Sequence, residues 1–334
     1  MVNMTLRNSA LTLAALALAA CATTSAPVPA QAKTNPDFQR FYAQLRKEAA
    51  QKGHSPAMLD AAFSGTIAPV PQVLQSEKSQ PESVRTFAEY TGSMLTSTRI
   101  MRGRANLAAH AQDLSATAAR TGVSASVVVA LWGIESRFGE VQGSHPVIPA
   151  LATLAWKSHR PDYFRKETFA ALKVVEQTGK EPDKLLGSWA GAMGQCQFMP
   201  SSWLAYGADG DGDGIADIWS NEADVFASAA TYLSKRGWQS GQAWRYTLPT
   251  TFKAEGLDLN SRGLSPQHPL SYWKKRGFKA PANLPASTKL RYYKPQEDAP
   301  AHLLGPNFSV ILSWNNSSYF AWSVLALADS LETE

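Results

Sequence analysis

The sequence predicts a mainly α fold (α+β overall), a helical body carrying one small strand-containing part. Three observations carry that reading. Apolar residues recur at helical spacing through most of residues 37–236. The periodic segments stop at glycines, among them Gly53, Gly122 and Gly237. From about residue 249 to 300 the composition shifts to Pro, Lys and short β-like runs such as KLRYYKP.

Each element has its own signal. FQRFYAQLRKEAAQKG places Phe38, Phe41, Leu45 and Ala49 on one side of a first helix. Ser55-Pro56 opens a second, short helix through Phe63, and a Pro- and Ser-rich loop leads to a third in SVRTFAEYTGSML. One longer helix is expected over 100–121, then a helix capped by Ser124 or Ser126. Helical patterns follow at 162–178 and 221–236, separated by GSWAGAMGQCQFMPSSW, a glycine-rich structured loop entering a helix at Pro200-Ser201. NFSVILSWN reads as a strand, and SSYFAWSVLALADSL as a final apolar helix returning to the core. The strand-containing part is placed at about 245–315.

The 334 residues suffice for one large core or two domains. Charged residues make up 18% and the formal net charge is +5, a mild excess without a dense Lys/Arg stripe, which argues against a nucleic-acid partner. The 10 Trp, 10 Tyr and 13 Phe suit both cores and sugar-binding clefts. Near the N-terminus Arg7 precedes ALTLAALALAA, too short to span a bilayer but suited to secretion. It ends in Leu18-Ala19-Ala20-Cys21, which resembles a bacterial lipoprotein box. Residues 1–20 are therefore expected as a signal peptide, Cys21 as the lipidated residue, and 21–36 as a disordered Ser/Thr/Pro/Ala tether to a folded domain over 37–334. Lipidation of Cys21 leaves Cys196 without a disulfide partner. Ala22 after the lipidated position implies, by the same resemblance, the periplasmic face of the outer membrane.

The unusual stretch is ALWGIESRFG. An apolar run, Val127 to Trp132, continues directly into Glu135. At 100° per residue Val128, Leu131, Glu135 and Phe138 share one stripe. A carboxylate there costs several kcal/mol if ionised without a partner, so it pairs, lines a cleft or stays protonated. Arg137 is a candidate structural partner; a protonated Glu is what a general acid needs.

WGIESRFG, then PALATLAW, GSWAGAMGQCQFMPSSW and the acidic DGDGDGIADIW resemble, in order and spacing, the lytic murein transglycosylase B family over roughly residues 38–331. The resemblance implies a lysozyme-like (goose-type) fold. It also implies cleavage of the MurNAc–GlcNAc β-1,4 bond of peptidoglycan, with formation of 1,6-anhydro-MurNAc ends. In that chemistry Glu135 alone acts as acid and then base, deprotonating the substrate's own C6 hydroxyl, so no second protein carboxylate and no catalytic cofactor are required. By resemblance Ser188 and Gln197 hydrogen-bond the sugar near the scissile bond and help orient the glutamate. Tyr90, Arg160, Phe198 and Tyr232 match positions that stack on sugars or hold acetamido and peptide groups. Trp314-Asn315 matches a pair that is usually Tyr-Asn, which questions a hydroxyl role at residue 314 but keeps stacking. Cys196 reads as a buried bystander thiol.

DGDGDGIADIWS, residues 209–220, resembles a calcium loop. Asp209, Asp211 and Asp213 hold positions one, three and five, Gly214 the turn and Ile215 a carbonyl, with Asp217 at position nine. Position twelve is Ser220, so the last ligand is expected from Asp224, or failing that Glu222. The expected ion is a structural Ca²⁺.

Two other functions stay open on the sequence. A hydrolytic muramidase would use water and a second carboxylate, for which Glu140, Asp162 and Glu167 are the candidates. A catalytically dead peptidoglycan-binding lipoprotein would have no use for a costly cleft carboxylate. The expected partners are glycan strands and, through the lipid anchor, the outer membrane, with the chain monomeric.

Overall fold

The computed structural model describes residues 35–64, 68–77 and 85–333. The expected signal peptide, Cys21 and nearly all of the expected tether lie outside the described residues. The long helix α1 Pro36–Gln51 comes first, followed by three short ones, α2 Pro56–Ala62, α3 Pro71–Ser76 and α4 Phe87–Met94. The side chain of Asn35 caps α1, and Thr86 with Glu89 forms a reciprocal capping box on α4. Next are α5 Ser97–Ala109, α6 Ala111–Thr121 and α7 Ala125–Ser136, then the two-residue strand β1 His145–Pro146. Helices α8 Val147–Lys157 and α9 Pro161–Thr178 precede β2 Leu186–Gly187, α10 Pro200–Tyr206 and α11 Glu222–Lys235. The small part holds β3 Arg245–Thr247, β4 His268–Pro269, α12 Leu270–Lys275, β5 Lys289–Tyr293 and β6 His302–Leu304. Helices α13 Pro306–Trp314 and α14 Ser318–Glu332 complete the described chain.

The body is built around α7. Every residue from Ser126 to Ser136 is buried, so this helix is enclosed on all sides and not on one stripe as its spacing suggested. α14 and α5 pack along it, α11 and α6 flank it, and α8 pairs with α9. Among the described residues no single helix is long and apolar enough to cross a membrane; the α6–α7 pair has the length and composition together but bends by 112°.

The sheet of the small part is antiparallel in the order β3-β6-β5-β4. Its two faces serve different cores, as a period of two requires. Leu290, Tyr292 and Leu303 face a second small core around Trp273, while Tyr293 and Leu304 join the main one.

Five expectations are corrected. The helix expected over 100–121 breaks at His110 into α5 and α6. Val147–Lys157, for which no helix was anticipated, is α8, and Pro71–Ser76, within the expected loop, is α3. In α1 Phe38, Leu45 and Ala49 are buried as expected, with Tyr42 in place of Phe41. NFSVILSWN is helix α13: Pro306 starts it, and Asn307, Val310, Ile311 and Trp314 are buried at i, i+3, i+4 and i+7, a helical period that outweighs the β propensity of the run. The β-containing part therefore ends at Leu304.

Candidate active site

Glu135 sits one residue before the end of α7 and is 2% exposed. The helix stops because Arg137 and Phe138 both adopt left-handed backbone, φ 55° and 61°. This turn folds the Phe138 ring back over Gly133, where a Cβ would lie 2.5 Å from the ring. Trp132 meets the same ring edge-on at 5.4 Å, and the Arg102 guanidinium covers it at 5.1 Å. Phe138 is thus not on the helical stripe at all. Arg137 is exposed, and Glu140 pairs with Arg102 at 2.7 Å on the surface.

The glycine-rich loop 187–198 closes over this region. Met193 and Phe198 exchange backbone hydrogen bonds, Ser188 N–H donates to Ala192 O at 2.8 Å, and Ser188 Oγ accepts from Ala192 N–H. Gly143, two residues before β1, presses on the loop so closely that a Cβ would meet the Gly187 carbonyl at 2.1 Å, at φ +93°. Gln197 has φ 52°, and its amide donates to Gln142 O at 3.0 Å and Gly194 O at 2.8 Å. Among the described residues, the non-glycine positions of positive φ are Arg137, Phe138 and Gln197, all in the two segments at Glu135; such backbone concentrates at functional sites.

Trp314, the last residue of α13, reaches across from the other side. Its indole Nε1–H donates to Glu135 Oε1 at 2.6 Å. The ring packs against Phe198 at 5.0 Å and Tyr232 at 4.8 Å, and Tyr232 OH donates to the Ser313 carbonyl at 2.5 Å. Phe198, Tyr232 and Trp314, expected as sugar-stacking rings, are all buried against each other, and they form the wall that holds the carboxyl. Asn315 follows as the C-cap of α13 and is buried. Tyr90 is fully enclosed, its ring 5.7 Å from Tyr319. Arg160, just ahead of α9, is half-buried and stacks on Tyr163 at 4.0 Å.

Two other acids raised by the sequence are placed elsewhere. Asp162 is exposed in the first turn of α9. Glu167 is buried, with Oε2 accepting from Ser201 N–H at 2.9 Å and Oε1 from Ser201 Oγ at 2.6 Å. Burial pushes its carboxyl above the ordinary range, partly offset by those bonds. It anchors the N-terminus of α10. Cys196 is buried with Sγ 3.3 Å from Val225 O. Burial first, then the neighbouring Glu135 carboxyl, raise its thiol far above the ordinary value, so it stays protonated.

Sequence reasoning missed Gln195 and Gln142. Gln195 Oε1 accepts from Trp132 Nε1 at 2.7 Å, and Gln142 Nε2 donates to Trp219 O at 2.9 Å. These amides tie the turn after Glu135 to the glycine-rich loop and to the acidic loop beyond it. Two glutamines so close in GQCQF were the available signal.

In the acidic loop, Asp209, Asp211 and Asp213 bring one carboxylate oxygen each within 4.8 Å of one another. The turns at Gly212 and Gly214, φ 90° and 92°, wind them together. Hard oxygen donors converging in this way suit Ca²⁺. Ile215 is exposed beside them. The other expected ligands are not in the cluster. Asp217 caps Trp219 and Ser220, Glu222 lies near Gln195, and Asp224 is buried with its two oxygens accepting from Gly210 and Asp217 N–H at 2.7 Å.

A helical body that buries Glu135 at the end of its central helix, with a glycine-rich loop and a small sheet beside it, defines the class: a lysozyme-like fold. The chain belongs to the family described as the transglycosylase SLT domain, whose model matches residues 37–329. It is 32% identical over 220 residues to the membrane-bound lytic murein transglycosylase B of Escherichia coli, which covers 63% of this chain and 57% of that protein, so the match spans little more than half the relative's length. The SltB3 structure from Pseudomonas aeruginosa in complex with NAG-anhNAM-pentapeptide aligns with TM-score 0.80 and 36% identity, covering 89% of this chain and 80% of that one. The Escherichia coli lytic transglycosylase Slt35 in complex with calcium aligns with TM-score 0.73 and 25% identity over 89% and 93%.

Proposed function

We propose that this protein is a lytic transglycosylase that cleaves the MurNAc–GlcNAc β-1,4 bond of peptidoglycan and leaves 1,6-anhydro-MurNAc ends. The observation that carries the reading is the placement of Glu135: a carboxyl enclosed in the core helix, gripped by Trp314, beside the backbone of the glycine-rich loop. A carboxyl so far from water is costly to ionise, so it starts as an acid. Glu135 donates its proton to the glycosidic oxygen as the C1–O bond breaks. The resulting carboxylate takes the proton of the C6 hydroxyl as that oxygen bonds to C1. Ring closure is intramolecular, with the gain in effective concentration this brings. No water enters the products. That Glu167, the buried one of the acids considered for a second carboxylate, spends its two oxygens on Ser201 favours one acid/base over the two-carboxylate muramidase. The likeness to SltB3 bound to an anhydro sugar supports the same product.

Ser188, Gln197, Tyr90, Arg160 and Asn315 are the proposed substrate contacts, with Phe198, Tyr232 and Trp314 shaping the wall behind them. Calcium held by Asp209, Asp211 and Asp213 is proposed to brace the loop between α10 and α11, in keeping with the calcium complex of Slt35. The name of the Escherichia coli relative supports a membrane association, which we assign to lipidated Cys21 on the periplasmic side of the outer membrane. The test is mass spectrometry of products released from purified sacculi by the full chain. Products one water lighter than reducing muropeptides, absent with Glu135→Gln, are expected. Ordinary reducing ends, or an active Glu135→Gln protein, would overturn the reading.

A further inference from the structure

We infer that Trp314 is a positioning residue that fixes which oxygen of Glu135 carries the catalytic proton. This rests on Glu135 acting as the acid/base proposed above. An indole N–H is a donor and never an acceptor, and it does not titrate in water. At 2.6 Å from Glu135 Oε1 it requires a lone pair on that oxygen in both protonation states. A carbonyl oxygen is a better acceptor than a hydroxyl oxygen, so in the neutral acid the bond from the indole favours the carbonyl at Oε1 and the proton on Oε2. When the acid gives that proton to the glycosidic oxygen, the bond from the indole strengthens, because its acceptor now carries charge. The C6 hydroxyl then returns a proton to the same oxygen, Oε2, as the C6 oxygen bonds to C1. One oxygen handles both transfers and the other stays bound to tryptophan.

The indole is built for this. Trp314 is 2% exposed and is flanked by Phe198 and Tyr232, so its ring cannot swing away without opening the wall. Tyr232 also clamps the preceding residue through the Ser313 carbonyl, and the Asn315 N–H returns to Ile311 O at 3.1 Å, fixing the helix end on both sides of Trp314. Packing alone would be served by a phenyl ring. The N–H is what binds the ring to the carboxyl.

The experiment is the pH profile of kcat on a soluble tetrasaccharide of alternating GlcNAc and MurNAc, for the full chain and two variants. Trp314→Phe keeps an aromatic ring. Replacement of Trp314 by 3-benzothienylalanine keeps the bicyclic shape and removes only the N–H, so folding is preserved if the phenylalanine variant is unstable. Losing a donor to the charged form makes the carboxyl hold its proton more tightly. The alkaline limb is expected to move up by about one pH unit, with kcat down about tenfold and KM within about twofold. An unmoved limb in the benzothienyl protein overturns the inference. Glu135→Gln separates the two levels: if it stays active, the acid/base reading itself falls; if it is dead and the limb is unmoved, only the role of Trp314 falls.

Discussion

Gln195 Oε1 accepts the indole N–H of Trp132 at 2.7 Å, joining the glycine-rich loop to the helix that carries Glu135. Both groups are buried, and Gly139 must lack a side chain there, since a Cβ would sit 2.4 Å from the same oxygen. Gln195→Leu leaves the indole N–H without its acceptor in a dry site. We expect a loss of about 2 kcal/mol in urea unfolding, and a larger fall in activity than in the folded fraction, because the loop loses its register against Glu135.

Gly143→Ala tests the approach from the other side. Its Cβ would collide with the Gly187 carbonyl and carbon, both at 2.1 Å, and the backbone is at φ +93°. Only a shift of the β1–β2 pairing relieves this, and Ser188 moves with it. Activity on sacculi should drop at least about tenfold while the far-UV circular dichroism of the helical body is unchanged.

Calcium should raise the melting temperature of the chain, and EDTA should lower it, by mass action on the folded state. Asp211→Asn or Asp213→Asn should abolish most of that response. Asp224→Asn should behave otherwise. Burial raises its carboxyl above the ordinary range, and its oxygens hold two backbone N–H groups, so the variant is expected to be less stable with and without calcium while the calcium shift persists. Melting curves of the three variants, with calcium and with EDTA, decide this.

His302 gives the fold a defined acid sensitivity. Burial, then the nearby Arg245, depress its imidazole from 6.5 to about 4. The unfolded chain thus binds a proton that the folded chain refuses, and stability falls as pH drops from about 6.5 towards 4. His302→Gln removes this contribution. In urea titrations across that interval, the parent should lose more stability than the variant; parallel curves would refute the assignment.

The sequence made the site legible where chemistry depends on residue identity, and obscured it where chemistry depends on enclosure. ESRFG and the glycine-rich run pointed to Glu135, Ser188 and Gln197, and alternating aspartates pointed to the loop at 209–213. Nothing local distinguished an aromatic that faces a sugar from one that backs a carboxyl, so the resemblance left Phe198 and Tyr232 between stacking on sugars and holding acetamido or peptide groups, and Trp314 with stacking. Trp314 was doubly obscured, because an apolar run containing Val310 and Ile311 reads as a strand until Pro306 is weighed as a helix start. α8 escaped because a helix apolar on nearly every side shows no amphipathic stripe. The break at His110 has no proline or glycine to announce it; it follows from how α5 and α6 meet α7. Spacing offered Asp224 as a ligand and could not show that the fold buries it, with backbone amides on both its oxygens.

The burial of Cys196 has a practical side. The sequence holds two cysteines, and the other, Cys21, lies ahead of the folded body. A chain starting at residue 35 keeps a single thiol, sealed in protonated form behind Val225 and unavailable to maleimides. A cysteine placed at Met101, whose side chain is 66% exposed on α5, would then be the one reactive handle on the molecule. A fluorophore attached there would follow the protein on sacculi, its proposed substrate, while Glu135 and its tryptophan stay untouched.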